Sequence, residues 1–319
     1  MTNFQVYKKT LSFSLLMFAF DILALLAVIG LGAAGFFILI GFGPEAAMIG
    51  LIVGLILGIA AATLIGVFLT NRVKAAQIAM MVKGVTEDQL PDHTFKAGLE
   101  EVKGRFGKIT LFFFITNSIK SIFRQIGRGI TRIGNAVGGE VGGTVTSTID
   151  SAIQTVIGYL CDCCLGWVLF RKDENSAKAA CEGCVIFFKH GKTLIRNVGR
   201  IFGFGILSFL LIGGAFTGLF FLLFYSIPEI LGSLSQAIID AAGADAPEWL
   251  SNPTILYLVV AFLIAVALWS ILHSVLVRPF ILVGVLRNYM AAGKEHLPSE
   301  ADFKELDKYP GFRKLRSKM

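Results

Sequence analysis

The chain has 319 residues, of which 55% are hydrophobic, 16% are charged and 35 are glycine, with mean hydropathy +0.73 and a formal net charge of +7. Ordinary soluble domains carry roughly 25% charged residues, so this composition excludes a water-soluble fold and predicts an all-α integral membrane protein, read as one polytopic domain over 1–319. The positive balance points to anionic lipid headgroups on the cytoplasmic side and excludes nucleic acid, because no soluble stretch is long enough to present a basic face.

Two apolar runs open the chain, at about 11–40 and 46–69, the first interrupted only by Asp21. Both exceed the ~20 residues needed to cross a bilayer, and the short join from Gly41 to Glu45 predicts a tight helical hairpin. A signal peptide over Leu11 to Ile29, behind Lys8 and Lys9, is the less favoured reading, because the apolar run continues past the usual length of such a core. Two more spans follow at about 201–227 and 253–276, the last ending near His273 and Arg278.

Orientation follows from where the 29 basic residues fall. Two precede the first span, seven lie in Asn71 to Lys108, four in Lys120 to Arg132, seven in Arg171 to Arg200 and nine in Arg278 to Lys318. Pro228 to Asn252 has none and carries Glu229, Asp240, Asp245 and Glu248. By the positive-inside rule both termini and the tail 279–319 are cytoplasmic, and that acidic loop is external. The loop's first part, Ile227 to Ala241, spaces its apolar residues as a helix lying on the outer surface would.

The middle of the chain requires zero or two further crossings. Segments 106–133 and 152–170 are expected to be amphipathic or embedded rather than spanning, because Lys120, Arg124, Arg128 and Arg132 recur every four residues. On a helix these form one cationic ridge, suited to lipid headgroups, with the isoleucines on other faces. Between Gly134 and Gly143 the four-residue glycine spacing fits either a turn or a close helix contact, the latter a route to homo- or hetero-oligomers.

Cys161, Cys163, Cys164, Cys181 and Cys184 form CxCC and CxxC groups. They are candidate metal ligands by spacing, candidate acylation sites by position, or small buried apolar groups, the favoured reading because the CxCC lies in an apolar stretch. No catalytic frame surrounds His93, His190, His273 or His296, so no enzyme and no cofactor is expected. The ionisable residues at membrane depth, Asp21, Asp162, His273 and Arg278, are the remaining candidates, because charge is costly in hydrocarbon and usually faces a bundle interior.

Leu90 to Phe112 (LPDHTFKAGLEEVKGRFGKITLF), Cys161 to Cys164, Ser176-Ala177-Lys178-Ala179, Leu194 to Ile201 (LIRNVGRI) and two last spans with a basic tail resemble, in order, the C-terminal half of the choline transporter-like family. The resemblance would cover about Thr70 to Leu315 and implies transport of a choline-like solute. The chain departs from that family in its short length, in lacking the extra spans and large external loop, and in Val285-Leu286-Arg287-Asn288, where the family has an acidic pair. Two functions are therefore expected to compete: a non-enzymatic scaffold or complex subunit, favoured because few polar groups lie at mid-membrane, and a transporter of a small solute or lipid headgroup.

Overall fold

The computed structural model describes residues 1–106, 109–138, 143–195, 198–227 and 252–319, with backbone alone at 44, 109–110, 126–138, 143–153, 191–195, 198–202 and 253. The described residues are helical, without a strand, and include four helices long and apolar enough to cross a membrane. Contacts group the chain into two units, 1–198 with 279–319, and 199–278.

The first unit begins with α1 (Asn3–Leu39), capped where Thr2 Oγ1 accepts from Gln5 N at 3.2 Å and Gln5 Oε1 accepts from Thr2 N at 2.8 Å. This reciprocal pair satisfies donors that the first helical turn leaves open. A 3₁₀ turn over Ile40–Phe42 and Gly43, at φ +110°, reverse the chain into α2 (Pro44–Ile65). Positive φ is what glycine tolerates and a side chain resists. The expected hairpin therefore forms, and its closeness has a second cause. A Cβ on Gly50 would lie 2.1 Å from Gly35 O, one on Gly54 2.1 Å from Leu31 O, and one on Gly58 2.6 Å from Val28 Cα. Three glycines at four-residue spacing thus let the two backbones touch. Leu23, Leu26, Ile29, Phe37, Ile52, Ile56 and Leu57 point outward from the pair, as lipid-facing side chains do.

These helices continue well past the apolar runs. A wide π turn at Gly66–Thr70 leads from α2 into α3 (Asn71–Thr86), whose residues from Ala75 to Val82 are all buried. Covered on every side, α3 is the axis of a helical core. The first half of α1 docks on it through Val6, Phe13 and Met17, and buried Gln77 Nε2 donates to Ser14 Oγ at 2.7 Å and to Thr10 O at 3.2 Å. Against α3 pack α4 (Thr94–Arg105) and α6 (Gly143–Phe170), and α6 in turn meets α5 (Ile109–Gly138) and α7 (Ser176–Ile195).

Helices α5 and α6 are not among the four candidate spans. From Tyr159 to Leu169 the side chains of α6 are covered by the chain itself, so the apolar residues of this stretch pack within the protein. The apolar face of α5 is treated likewise: Ile115, Ile119, Ile122 and Phe123 are buried, while Lys120 and Arg124 are exposed. The two-faced helix is as the spacing requires, but over these residues its apolar face is covered by protein. The side chains of Arg128 and Arg132 lie outside the described residues. So do residues 139–142, between the end of α5 at Gly138 and the start of α6 at Gly143.

The segment 279–319 is part of this core and not a free tail. Helix α11 (Arg278–Glu295) buries Leu282, Val283, Leu286 and Tyr289, and Tyr289 Oη donates to Gly183 O at 2.5 Å. Two short helices, α12 (Glu300–Leu306) and α13 (Pro310–Arg316), insert Phe303, Leu306, Phe312 and Leu315. Many of the side chains that α3, α4 and the C-terminal helices bury are drawn from segments that read as polar because charges separate the apolar positions.

In the second unit, α8 (Val198–Ser208), a π turn at Phe209–Gly213 and α9 (Gly214–Ser226) form one apolar rod, which packs on α10 (Pro253–Leu272). Asn252 caps α10, its Oδ1 accepting from Thr254 N at 3.1 Å. Phe224, Tyr257 and Ala261 form the contact. The expected surface helix at Ile227 to Ala241 falls outside the described residues beyond Ile227.

Candidate functional site: a charged cavity at the end of the second span

Where the apolar run of α2 gives way to polar residues, the π turn, α3, α5 and α6 enclose a cavity of about 340 Å³. Each helix presents one face to it by simple spacing. Asn71, Lys74 and Ala75 of α3 lie one turn apart; so do Phe112, Thr116 and Lys120 of α5, with Phe113 and Asn117 beside them; α6 adds Cys161, Asp162 and Leu165. The π turn contributes Val67. Its wider winding interrupts the regular ladder, a feature that recurs at functional positions in helices.

An ion pair stands in the wall. Lys74 Nζ lies 2.6 Å from Asp162 Oδ1, with the lysine side chain 30% and the aspartate 8% exposed. Burial of a carboxylate in this setting is tolerable only because an opposite charge meets it. Lys120 is exposed at the rim and Thr116 Oγ1 donates to Phe112 O at 2.8 Å. Lys120 adds an ammonium to the lining, beside the amides of Asn71 and Asn117 and the Thr116 hydroxyl. The lining also holds the apolar Val67, Phe112 and Leu165, and Phe113 stands edge-on to Phe68 at 5.9 Å between ring centres. Such a mixed lining can meet both an anion and hydrocarbon.

The structure thus joins two residues that sequence reasoning assigned to different roles, Asp162 and Lys120, and adds Lys74, which it missed. Lys74 stood among seven basic residues of a loop, and its distinguishing signal was its place three residues after Asn71. Asp21 is exposed on α1 and does not line this cavity. His273 lies in the second unit, its ring 5.2 Å from that of Trp269, whose Nε1 donates to Ser208 Oγ at 3.2 Å. Arg278 opens α11.

The five cysteines do converge, at the contact of α6 with α7, and all are buried. Cys164 and Cys184 share a hydrogen bond, and Cys164 Sγ reaches Ala180 O at 3.5 Å. A Cβ at Gly183 would sit 2.6 Å from Cys164 Sγ, so the helices approach as closely as glycine permits. Burial raises the Cys181 thiol above its ordinary range, and at Cys184 the hydrogen bond it donates to Cys164 does so first, with burial second. Among the described residues no group of three or more His, Cys, Asp or Glu side chains is placed to hold a metal ion. The cluster packs as small apolar groups do. Next to it, Glu182 accepts from Trp167 Nε1 at 3.0 Å and from Arg171 Nε at 3.1 Å, a buried carboxylate fully occupied in tying α6 to α7.

No protein-family model, curated protein or solved structure matches the chain.

Proposed function

We propose that the chain is a non-enzymatic, multi-pass membrane protein that acts as a scaffold or as a subunit of a membrane complex, with both termini and the helical core in the cytoplasm. One observation carries this reading. In the most apolar window of each of the four candidate spans, no more than 17% of residues are buried within the chain. A span used to enclose a solute path buries polar faces against its neighbours; these spans leave most of their surface to lipid or to partner helices. The cavity described above lies at a helix end rather than between spans, which also favours a scaffold over a conduit. The distribution of basic residues supports the orientation.

The test uses the full chain in its native membrane. A photo-crosslinking residue placed at Leu219 or Leu263, both well exposed on their helices, should give a discrete protein adduct of one mass, identified by mass spectrometry. Lipid adducts alone at both positions would overturn the reading. Flux of choline or another small cation through proteoliposomes holding the purified chain would instead support the transporter alternative. In intact cells Ser235→Cys should react with an impermeant thiol reagent, and labelling only after lysis would reverse the orientation.

A further inference from the structure

We infer that the cavity between α3, α5 and α6 is a binding site for the phosphodiester of an anionic phospholipid headgroup. The first support is charge. Lys120, exposed, brings an ammonium to the lining, a direct partner for a phosphate oxygen. The second is the donor set. Asn117 and Lys120 lie on the same face of α5, three residues apart, and Asn71 lines the same space of about 340 Å³ from α3, so amide and ammonium donors share it. The third is the wall. Val67 and Phe113 line this space too, and Phe68 and Leu69, next along the chain from Val67, are exposed at the end of the second apolar run. A glycerol ester bond leaving the headgroup would emerge along apolar side chains. Lys120 therefore has a role separable from that of Arg124, one turn further along α5, which is exposed but does not line the cavity.

The experiment uses the full chain in nanodiscs of phosphatidylcholine with a minor fraction of phosphatidylglycerol, and native mass spectrometry to count the lipid retained. The wild type should keep one phosphatidylglycerol in preference to phosphatidylcholine. Lys120→Gln should reduce that retention about fivefold, the effect of removing one headgroup-level cation. Arg124→Gln should leave it unchanged, and Asn117→Trp, which fills the cavity without altering charge, should abolish it. Equal losses in Lys120→Gln and Arg124→Gln would mean general attraction to a basic ridge and would overturn the site, as would full retention in Asn117→Trp. A second arm adds glycerophosphoglycerol, the same phosphodiester without acyl chains. Displacement of the lipid by this soluble probe assigns the site to the headgroup alone, and no displacement assigns it to the whole lipid. Absence of preferential retention together with absence of binding by the soluble probe overturns the inference.

Discussion

Lys74 and Asp162 meet across the α3–α6 contact with unequal access to water, and that inequality sets which of them the fold needs more. Asp162 is nearly covered, whereas almost a third of the Lys74 side chain is exposed. Removing the lysine deprives a nearly covered carboxylate of its ammonium partner at 2.6 Å; removing the carboxylate leaves an ammonium that can turn outward on a flexible stem. Lys74→Met is expected to cost about 3 kcal/mol, the lower end of the range for a broken buried pair. Asp162→Asn should cost less, about 1 kcal/mol, and the double variant less than the sum. Denaturant titration of the purified chain in detergent measures all three, and a larger loss in Asp162→Asn than in Lys74→Met would show the reasoning wrong.

The glycine contact of the first hairpin makes a sharper test. Gly50→Ala and Gly54→Ala place a methyl about 2 Å from a backbone carbonyl oxygen of α1, and neither backbone can yield without parting the helices. Gly30→Ala and Gly66→Ala meet nothing within 4 Å. The first two should lower the thermal midpoint of the hairpin in detergent and weaken its resistance to SDS. The last two should be neutral or slightly stabilising, by up to about 1 kcal/mol, because alanine restricts the unfolded chain and favours helix. Equal effects at all four positions would remove close backbone packing as the cause.

Much of this architecture is legible in the sequence, because long apolar runs have few alternative fates. The spans, the short hairpin join and the two faces of α5 follow from run length and helical period. The α2 stripe of Gly50, Gly54 and Gly58 is a four-residue repeat of the same kind as the glycine run after Gly134. The C-terminal helices were concealed for a physical reason. Phe303 and Leu306, like Phe312 and Leu315, stand three apart among charges, and two apolar residues per short helix give no long periodic signal. Their stability comes from the surface that receives them. The cavity was less legible still. Lys74, Lys120 and Asp162 belong to three segments, and only packing brings them together, so nothing in local pattern distinguishes Lys120 from Arg124. The burial of Tyr159 to Leu169 within the protein is equally hidden, because hydropathy does not distinguish lipid from a protein core.

All five cysteines are buried, and a thiol in the core is neither accessible nor readily ionised. In the native protein, none is expected to react appreciably with a small maleimide at neutral pH over an hour, and all five should react after denaturation. Intact-mass measurement counts the adducts directly. Rapid native labelling at Cys181 or Cys184 would show that α7 leaves α6 often enough to expose them, and it would reopen the acylation reading for those two residues.

The docking of α12 gives a pH-dependent prediction whose direction can be worked out. Asp302 receives Lys189 Nζ at 2.5 Å, and its Oδ2 accepts from Ser299 N at 2.7 Å and Ser299 Oγ at 2.8 Å. The lysine contact first and the Ser299 amide second hold the carboxyl down at about 2. An unfolded aspartate titrates near 3.9, so the folded value is the lower one. The contribution to docking is therefore complete above about pH 4 and is lost as pH falls toward 2. Salt should weaken the contact because it lies near solvent. Hydrogen-exchange protection of 300–316, corrected for the intrinsic pH dependence of exchange, should fall about fivefold across that window, the size expected for one partly exposed pair. Asp302→Asn should show the low protection already at pH 6, with no further step on acidification. A step of the same size in Asp302→Asn would assign the acid sensitivity to other carboxylates, of which Asp307 and Glu300, both paired with Arg316, are the nearest candidates.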